Sequence, residues 1–315
     1  MRGPGELLYP AVWRHSLHHY AAGGWGLTVT LGRRVGLTVS GVGAIQRVQR
    51  KFRNACGADR AHYWLMNAKV TALPRAGHES APINGRVRGQ DWERVARDLD
   101  SGGNAVIEGL LTAAECQGLA ALYAREAPFR SRVIMGRHGF GRGEYKYFAY
   151  PLPAEITALR TAIYPQLVPI ANGWNERMGI DVTFPMAHAE FLTRCHEAGQ
   201  ERPTPLLLQY QAGDFNCLHQ DLYGEHVFPL QVAVLLSQPE QDFTGGEFVM
   251  TEQRPRMQSR PEVVPLARGD AVVFAVHQRP VQGTRGVYRV NMRHGVSRLR
   301  SGHRHTLGII FHDAK

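Results

Sequence analysis

The sequence has little cysteine and no long apolar run. Its 315 residues include only four cysteines, which form no CxxC pair or other paired framework. This excludes a disulfide scaffold and favours a reducing compartment, so we expect a cytoplasmic protein. No apolar stretch approaches the ~20 residues that a membrane-spanning helix needs. There is no clear signal peptide either, because Arg14, His15, His18 and His19 interrupt the first apolar residues. We therefore expect no membrane partner.

Acidic residues are scarce at the N-terminal end. Residues 1–90 hold 13 Lys and Arg against 3 Asp and Glu, whereas residues 91–315 hold 24 of each kind. The net charge of +10 therefore belongs to the first part of the chain, and the rest is formally neutral. A neutral domain lacks the positive excess that is typical of a nucleic-acid-binding protein.

Residues 1–89 are interpreted as a basic extension, and Ala72–Val87 as a linker because Pro74, Gly77, Pro82 and Gly85 punctuate it. Three interpretations of the extension stay open. It is a disordered basic tail, an upstream extension from a misplaced start codon, or an arm that binds nucleic acid.

The remaining residues, 90–315, are predicted to form one α+β domain. The patterns predict helices at Trp92–Leu99, Thr112–Glu126, Ile156–Met178 and Phe184–Ala198, the second of which starts with a Thr112–Glu115 capping box. They predict strands at Ala105–Leu111, Leu206–Tyr210, Leu230–Leu236, Glu247–Thr251, Ala271–Val276, Val287–Met292 and His305–His312. We expect the helical part, residues 90–204, to support a sandwich or barrel formed by residues 205–315.

A histidine and an aspartate stand two residues apart in His219-Gln220-Asp221, at the end of the stretch Leu206–Asp221, which is interpreted as a β-strand that delivers both side chains to one point. Side chains at i and i+2 of a strand project from the same face. Imidazole nitrogen together with carboxylate oxygen suits a divalent transition metal that keeps open positions. Such a pair occurs by chance in many proteins, so its meaning depends on a third ligand, for which His277 and His294 are the candidates.

His294 is the more consistent third ligand because an arginine, Arg304, follows it ten residues later, with Thr306 at the next position on the same face. Two histidines and one carboxylate on one side of a metal leave room for a keto acid and for O₂. The distal carboxylate of that co-substrate would need a bidentate cation, which a guanidinium supplies. His277 has no arginine at the matching place.

At these residues the sequence resembles the Fe(II)/2-oxoglutarate dioxygenase superfamily, and within it the prolyl-4-hydroxylase-like branch. Tyr210 stands in a Y-x-x-G-x5-H-x-D pattern like that of the hydroxylases. Gly245-Gly246-Glu247-Phe248 and Gly269-Asp270 are similar to two of the family's turns. The similarity is strong over residues 205–315 and loose over residues 100–200.

The resemblance implies a double-stranded β-helix, or jelly-roll, with Fe(II) held by His219, Asp221 and His294. It implies that 2-oxoglutarate is contacted by Tyr210, Arg304 and Thr306, and that O₂ is consumed. Ascorbate is a further candidate cofactor. The implied reaction hydroxylates a substrate C–H bond and releases succinate and CO₂.

The substrate is expected to be a protein side chain or a small molecule. Arg142, Tyr145 and Tyr147, in the segment Arg132–Pro153, are the candidate substrate contacts. The alternative is oxidative demethylation of alkylated DNA or RNA, because the C-terminal half is also similar to a bacterial group for which that role has been predicted. The better-known demethylases carry R-x-N-x-T-x-R, whereas Lys315 is the only Lys or Arg after Arg304. A non-catalytic β-barrel binding protein is the third hypothesis.

Overall fold

The computed structural model describes residues 81–315 throughout and, before them, the backbone of three strands. These are β1 (Gly26–Leu31), β2 (Val35–Ser40) and β3 (Thr71–Ala72), which form an antiparallel sheet in the order β2-β1-β3. They belong to a unit of residues 1–77, and residues 78–315 form a second unit. The rest of residues 1–80 lies outside the described residues, so the prediction of a basic extension over residues 1–89 stays a prediction there.

Five α-helices occur in the described part of the second unit. They are α1 (Ile83–Arg88), α2 (Trp92–Gly102), α3 (Ala113–Ala121), α4 (Ala154–Arg177) and α5 (His188–Glu197). Four were predicted, with ends shifted by up to five residues. The capping box of α3 is confirmed, because the Glu115 amide donates to Thr112 Oγ1 and Glu115 Oε2 accepts from the Thr112 amide. None of the described helices is both long and apolar enough to cross a bilayer.

The interpretation of Ala72–Val87 as a linker is wrong for its last residues, which lie in helix α1. Ile83 and Val87 are buried in the main core. Arg86 is also buried, and its guanidinium donates to both carboxylate oxygens of Glu115 and to the Leu110 carbonyl oxygen. These tertiary contacts stabilise a helix that would be too short to persist by itself.

Fourteen strands build the two large sheets. They are β4 (Asn104–Ile107), β5 (Phe129–Ile134), β6 (Gly141–Arg142), β7 (Glu144–Phe148), β8 (Leu206–Gln211), β9 (Phe215–His219), β10 (Leu230–Leu235), β11 (Phe243–Gly245), β12 (Phe248–Gln253), β13 (Arg260–Val264), β14 (Ala271–Ala275), β15 (Gln278–Gly283), β16 (Gly286–Val296) and β17 (Leu299–Ile309). One sheet has the order β4-β14-β10-β17-β8-β7-β5 with β11 beside β17, and the other has the order β13-β12-β16-β9-β6 with β15 beside β16. Every strand pairing within these two sheets is antiparallel.

The two sheets meet through their side chains. The rings of Phe248 on β12 and Phe274 on β14 lie 5.1 Å apart. Helix α4 adds Tyr164 and Trp174 to the same core. The mixed fold of helices and antiparallel sheets is therefore confirmed. Strands β5, β6, β7, β11, β13 and β15 were missed. In β5, an edge strand, the charged Arg132 pairs with Glu144 of β7, so the pair shows no simple apolar pattern.

Candidate active site

The three predicted metal ligands come together at one point between the ends of β9 and β16. His219 is the last residue of β9, and it lies opposite His294 in the β9–β16 ladder. Asp221 follows two residues later and lies between them: its Oδ1 is 3.5 Å from His219 Nε2 and its Oδ2 is 3.5 Å from His294 Nε2. One ligand atom from each residue lies within 4.8 Å of the other two. His277, the alternative third ligand, is not part of this group.

Neighbouring groups orient each ligand. The Nδ1–H of His219 donates to the Cys217 carbonyl oxygen at 2.8 Å, which leaves Nε2 free to bind a metal. The Tyr223 hydroxyl donates to Asp221 Oδ1 at 2.8 Å. The rings of Phe248 and Phe274 pack against the imidazole of His294. Such outer contacts fix the orientation of metal ligands and contribute to metal affinity.

The charge states of the ligands match a metal site. Burial raises the pKa of Asp221, but the hydrogen bond and charge of His294 and the charge of His219 lower it by more, so the net pKa lies below its ordinary value. Burial lowers the pKa of His294. An ionised carboxylate and neutral imidazoles are the forms that bind a metal. Two imidazoles and one carboxylate are the donor set of non-haem Fe(II) oxygenases, so these residues fit ferrous iron.

A cavity of about 220 Å³ opens beside the ligands. It is lined by His219, Asp221 and His294 at one place and by Tyr210, Arg304 and Thr306 at another. The structure therefore brings the predicted metal ligands and the predicted co-substrate contacts into one chamber.

Arg304 is a buried cation without an acidic partner in the described part of the chain. It is 1% exposed, and its guanidinium lies 5.6 Å from the centroid of the Tyr210 ring. Its Nη1 donates to Thr306 Oγ1 at 2.5 Å, whereas its Nε has no hydrogen-bond partner. Burial lowers the pKa of Arg304 to about 10, so the group is still charged at neutral pH. A buried charge of this kind requires an anion, and the distal carboxylate of 2-oxoglutarate fits it.

Gln231 adds a polar group to the cavity that sequence reasoning did not identify as functional. It is 3% exposed, lies on β10, and its Nε2 has no hydrogen-bond partner. A buried unsatisfied donor costs about 1–3 kcal/mol. Gln231 is therefore available to bind a polar group of a molecule inside the cavity. Its signal in the sequence was a polar residue at the start of an otherwise apolar strand.

The three predicted substrate contacts have different positions. Tyr145 lines the cavity. Tyr147 is buried and its hydroxyl donates to the Tyr223 hydroxyl at 3.2 Å, so Tyr147 is linked to the ligand Asp221 through Tyr223 by two hydrogen bonds. Arg142 does not line the cavity and instead pairs with Asp214 at 3.2 Å.

A buried glutamine, Gln200, holds the turn that follows the metal-ligand segment. Its Oε1 accepts from the amides of Glu225 and His226 at 2.9 and 2.7 Å. Its Nε2 donates to the carbonyl oxygens of Tyr223, His226 and Asp313. The turn passes so close that a Cβ on Gly224 would overlap the Gln200 carboxamide. Gln200 therefore fixes the backbone of Tyr223, whose hydroxyl binds Asp221.

Comparison with known proteins identifies the family. A family model described as "Oxygenase, catalysing oxidative methylation of damaged DNA" matches residues 143–314. The chain belongs to this oxygenase family. It is similar to an uncharacterized protein of Mycobacterium tuberculosis found in two strains, with 48% identity over 196 residues, which are 61% of this chain and 84% of that protein.

Two solved structures are also similar. A prolyl-4-hydroxylase from Pseudomonas putida has 18% identity and a TM-score of 0.42 over 71% of this chain and 99% of that one. A member of the 2OG-Fe(II) oxygenase family from Burkholderia pseudomallei has 18% identity and a TM-score of 0.44 over 72% of this chain and 94% of that one.

The oxygenase is an oxidoreductase of the Fe(II)/2-oxoglutarate class. Membership of this class implies Fe(II), 2-oxoglutarate and O₂. The hypothesis of a non-catalytic binding protein is therefore wrong.

Proposed function

We propose that this oxygenase removes alkyl groups from damaged nucleic acid by Fe(II)- and 2-oxoglutarate-dependent oxidation. The observation that carries the proposal is that Arg304, a buried cation without an acid partner in the described residues, shares one cavity with His219, Asp221 and His294. That arrangement supports co-substrate binding next to the metal. The family description supplies the substrate class, damaged DNA.

In this proposal the chain's own residues hold and orient the reactants. His219, Asp221 and His294 hold Fe(II), and Arg304 with Thr306 and Tyr210 holds the distal carboxylate of 2-oxoglutarate. Bound iron supplies the activation of O₂. Together, iron and 2-oxoglutarate bound there would supply the O₂-dependent hydroxylation of an alkyl C–H bond, with 2-oxoglutarate converted to succinate and CO₂. The hydroxyalkyl group then leaves the base nitrogen as an aldehyde.

The proposal also includes the type of fold, a reductant and the cellular location. The two sheets, with the ligands on β9 and β16 and Arg304 on β17, support a double-stranded β-helix. Ascorbate is proposed as a reductant that returns oxidised iron to the ferrous state. The cytoplasmic location remains a prediction.

The experiment measures succinate and formaldehyde release by the full-length protein with Fe(II), 2-oxoglutarate, O₂ and an N-methylated single-stranded DNA oligonucleotide. We expect both products in equal amounts, and neither product above background with the unmethylated oligonucleotide. A His294→Ala variant should release neither product, because it loses a metal ligand. If the methylated oligonucleotide does not stimulate succinate release, the substrate class is wrong.

The second candidate function is hydroxylation of a protein side chain or small molecule. One observation favours it. The better-known demethylases carry a second arginine after the one that matches Arg304, whereas the only basic Lys or Arg after Arg304 in this sequence is Lys315. The same succinate assay with a peptide pool from cell extract in place of the oligonucleotide distinguishes the two. Stimulation by peptides without aldehyde release would support this candidate.

A further inference from the structure

A half-exposed aromatic pair, His138 and Phe140, lies at the entrance of the catalytic cavity. Phe140 lines the cavity together with His219 and is 47% exposed, whereas most of the large apolar side chains of the described domain are buried. The His138 ring stacks on the Phe140 ring, with 5.3 Å between centroids and 23° between planes. Neither residue belongs to the group of metal ligands. The pair presents flat apolar surface to solvent next to the metal ligands.

The loop that carries this pair is tightly attached to the strand that carries His219. Met135, fully buried, accepts hydrogen bonds at its carbonyl oxygen from the amides of His138 and Phe140 at 3.0 and 3.2 Å. The Cys217 amide donates to the Phe140 carbonyl oxygen at 2.9 Å. Cys217 is two residues before His219 on β9, so the backbone of Phe140 is held at a fixed place relative to the strand that ends at His219.

Gly141 makes this attachment possible. It pairs with Asn216 of β9 and has a φ of 126°, a backbone conformation that residues other than glycine rarely adopt. A Cβ at this position would lie 2.5 Å from the Phe215 carbonyl oxygen. The close approach of β6 to β9 therefore places the aromatic pair by backbone contacts rather than by a flexible side-chain contact.

Two guanidinium groups flank the pair in sequence. Arg137 and Arg142 are exposed, and Arg142 remains 65% exposed although it pairs with Asp214. Flat aromatic rings and neighbouring cations are the combination that binds single-stranded nucleic acid, because bases stack on the rings and phosphates pair with the cations. The loop therefore carries both features: Phe140 lines the cavity, and the two exposed arginines stand on either side of it in the sequence.

We propose that His138 and Phe140 form a stacking platform for the base next to the one that enters the cavity, and that Arg137 and Arg142 contact the adjoining phosphates. This inference rests on the proposed function, since it assumes a nucleic-acid substrate. It deepens that function by proposing that the loop Gly136–Gly143 binds nucleic acid that is single-stranded or locally unpaired. A base held on the platform positions its neighbour, through the sugar-phosphate chain, over the metal.

The test uses full-length protein loaded with Mn(II) and 2-oxoglutarate without O₂, so that binding is measured without turnover. The probe is a fluorescein-labelled single-stranded DNA decamer with one N-methylated adenine, followed by fluorescence anisotropy. Phe140→Ala should weaken binding about tenfold or more, the effect of losing one stacked base. Phe140→Trp should bind as tightly as the wild type or more tightly. Met257→Ala, which removes another exposed apolar side chain in the loop between β12 and β13, should bind like the wild type.

The salt dependence of oligonucleotide binding tests the role of the two arginines. Arg137→Ala and Arg142→Ala should each weaken binding and make the salt dependence shallower. The slope of log K against log salt should change by about 0.7 for each phosphate that the variant no longer neutralises. Wild-type salt slopes in both variants would contradict the assignment of these arginines to phosphates.

The outcomes separate this inference from the proposed function. If the wild type demethylates the oligonucleotide and Phe140→Ala binds it equally well, the stacking platform is wrong while the proposed function stands. If the wild type neither binds nor demethylates the oligonucleotide, the proposed function fails, and the platform fails with it. Weaker binding by Phe140→Ala together with unchanged affinity for 2-oxoglutarate supports the platform and excludes general damage to the site.

Discussion

The Tyr223 hydroxyl donates a 2.8 Å hydrogen bond to Oδ1 of Asp221, while Oδ2 of the same carboxylate faces His294. This bond orients the single anionic ligand of the site. Tyr147 lies on the other side of the Tyr223 hydroxyl at 3.2 Å. A short chain of two hydroxyl groups, from Tyr147 to Tyr223 to Asp221, therefore supports the carboxylate ligand.

Removal of the Tyr223 hydroxyl should weaken metal binding. We expect Tyr223→Phe to reduce the affinity for Co(II), used as an air-stable substitute for Fe(II), by about tenfold or more, the usual effect of losing a partner of a metal ligand. The measurement is an absorbance titration of the metal-free protein. Tyr288→Phe, on β16, is the matched control because no hydrogen bond of its hydroxyl occurs among the described residues. Equal Co(II) affinity in Tyr223→Phe and the wild type would contradict this role.

Gln200 should act on the metal site through the turn that it holds. Gln200→Glu keeps an acceptor for the amides of Glu225 and His226 but loses the three donations to carbonyl oxygens. We expect it to weaken Co(II) binding at a temperature where the variant is fully folded. Gly224→Ala should do the same, because its Cβ would overlap the Gln200 carboxamide. A purely structural role predicts a lower Tm with unchanged Co(II) affinity, and that result would refute the positioning role.

Arg304 should determine the affinity for 2-oxoglutarate. We expect Arg304→Lys to raise the KM for 2-oxoglutarate about tenfold or more, because an ammonium group cannot reproduce the planar pair of hydrogen bonds that a guanidinium makes to a carboxylate. Co(II) affinity should stay that of the wild type. Arg300→Lys, an exposed position on the same strand, serves as the control. If Arg304→Lys lowers metal affinity and leaves this KM unchanged, the assignment to the distal carboxylate is wrong.

The stability of the domain should fall as the pH falls from about 6.5 to about 4. Burial lowers the pKa values of His188 and His312 to about 4. In this window the unfolded chain binds protons at both histidines, whose ordinary pKa is ~6.5, and the folded chain does not. The free energy of unfolding must therefore decrease as the pH is lowered through the window, and the contribution of these two histidines should level off below their folded pKa values.

Urea unfolding of metal-free protein at pH 7 and pH 5 measures this effect. His188→Gln should show a smaller difference between the two pH values than the wild type, because it removes one titrating group. Its carboxamide can still donate to the Phe311 carbonyl oxygen, as His188 Nε2 does at 2.8 Å. His138→Gln is the control, since His138 is exposed. Equal pH dependence in His188→Gln and the wild type would show that His188 does not contribute.

Local sequence patterns were sufficient to predict a structural feature where neighbouring residues in the chain determine it. The Thr112–Glu115 capping box needs only four consecutive residues, and the predicted cap is present. The stretch Leu206–Asp221 was instead predicted to be one strand, whereas the structure divides it into β8 and β9, and Asp221 lies two residues beyond the end of β9. Strand β17 was predicted to begin at His305 and in fact begins at Leu299, because the charged residues in its first half are paired by β8 and β11 rather than marked by an apolar pattern.

The sequence by itself determined the kinds of donor in the site, since a two-residue spacing puts His219 and Asp221 together and the interval between His294 and Arg304 matches a known family. Only the tertiary structure decided which other groups belong to the site. Tyr223, Gln231 and Phe140 carry no motif, and Gln200 acts on a turn distant in sequence. Their roles arise from hydrogen bonds and ring contacts between separate segments of the chain, and such contacts exist only after the two sheets and the helices have packed.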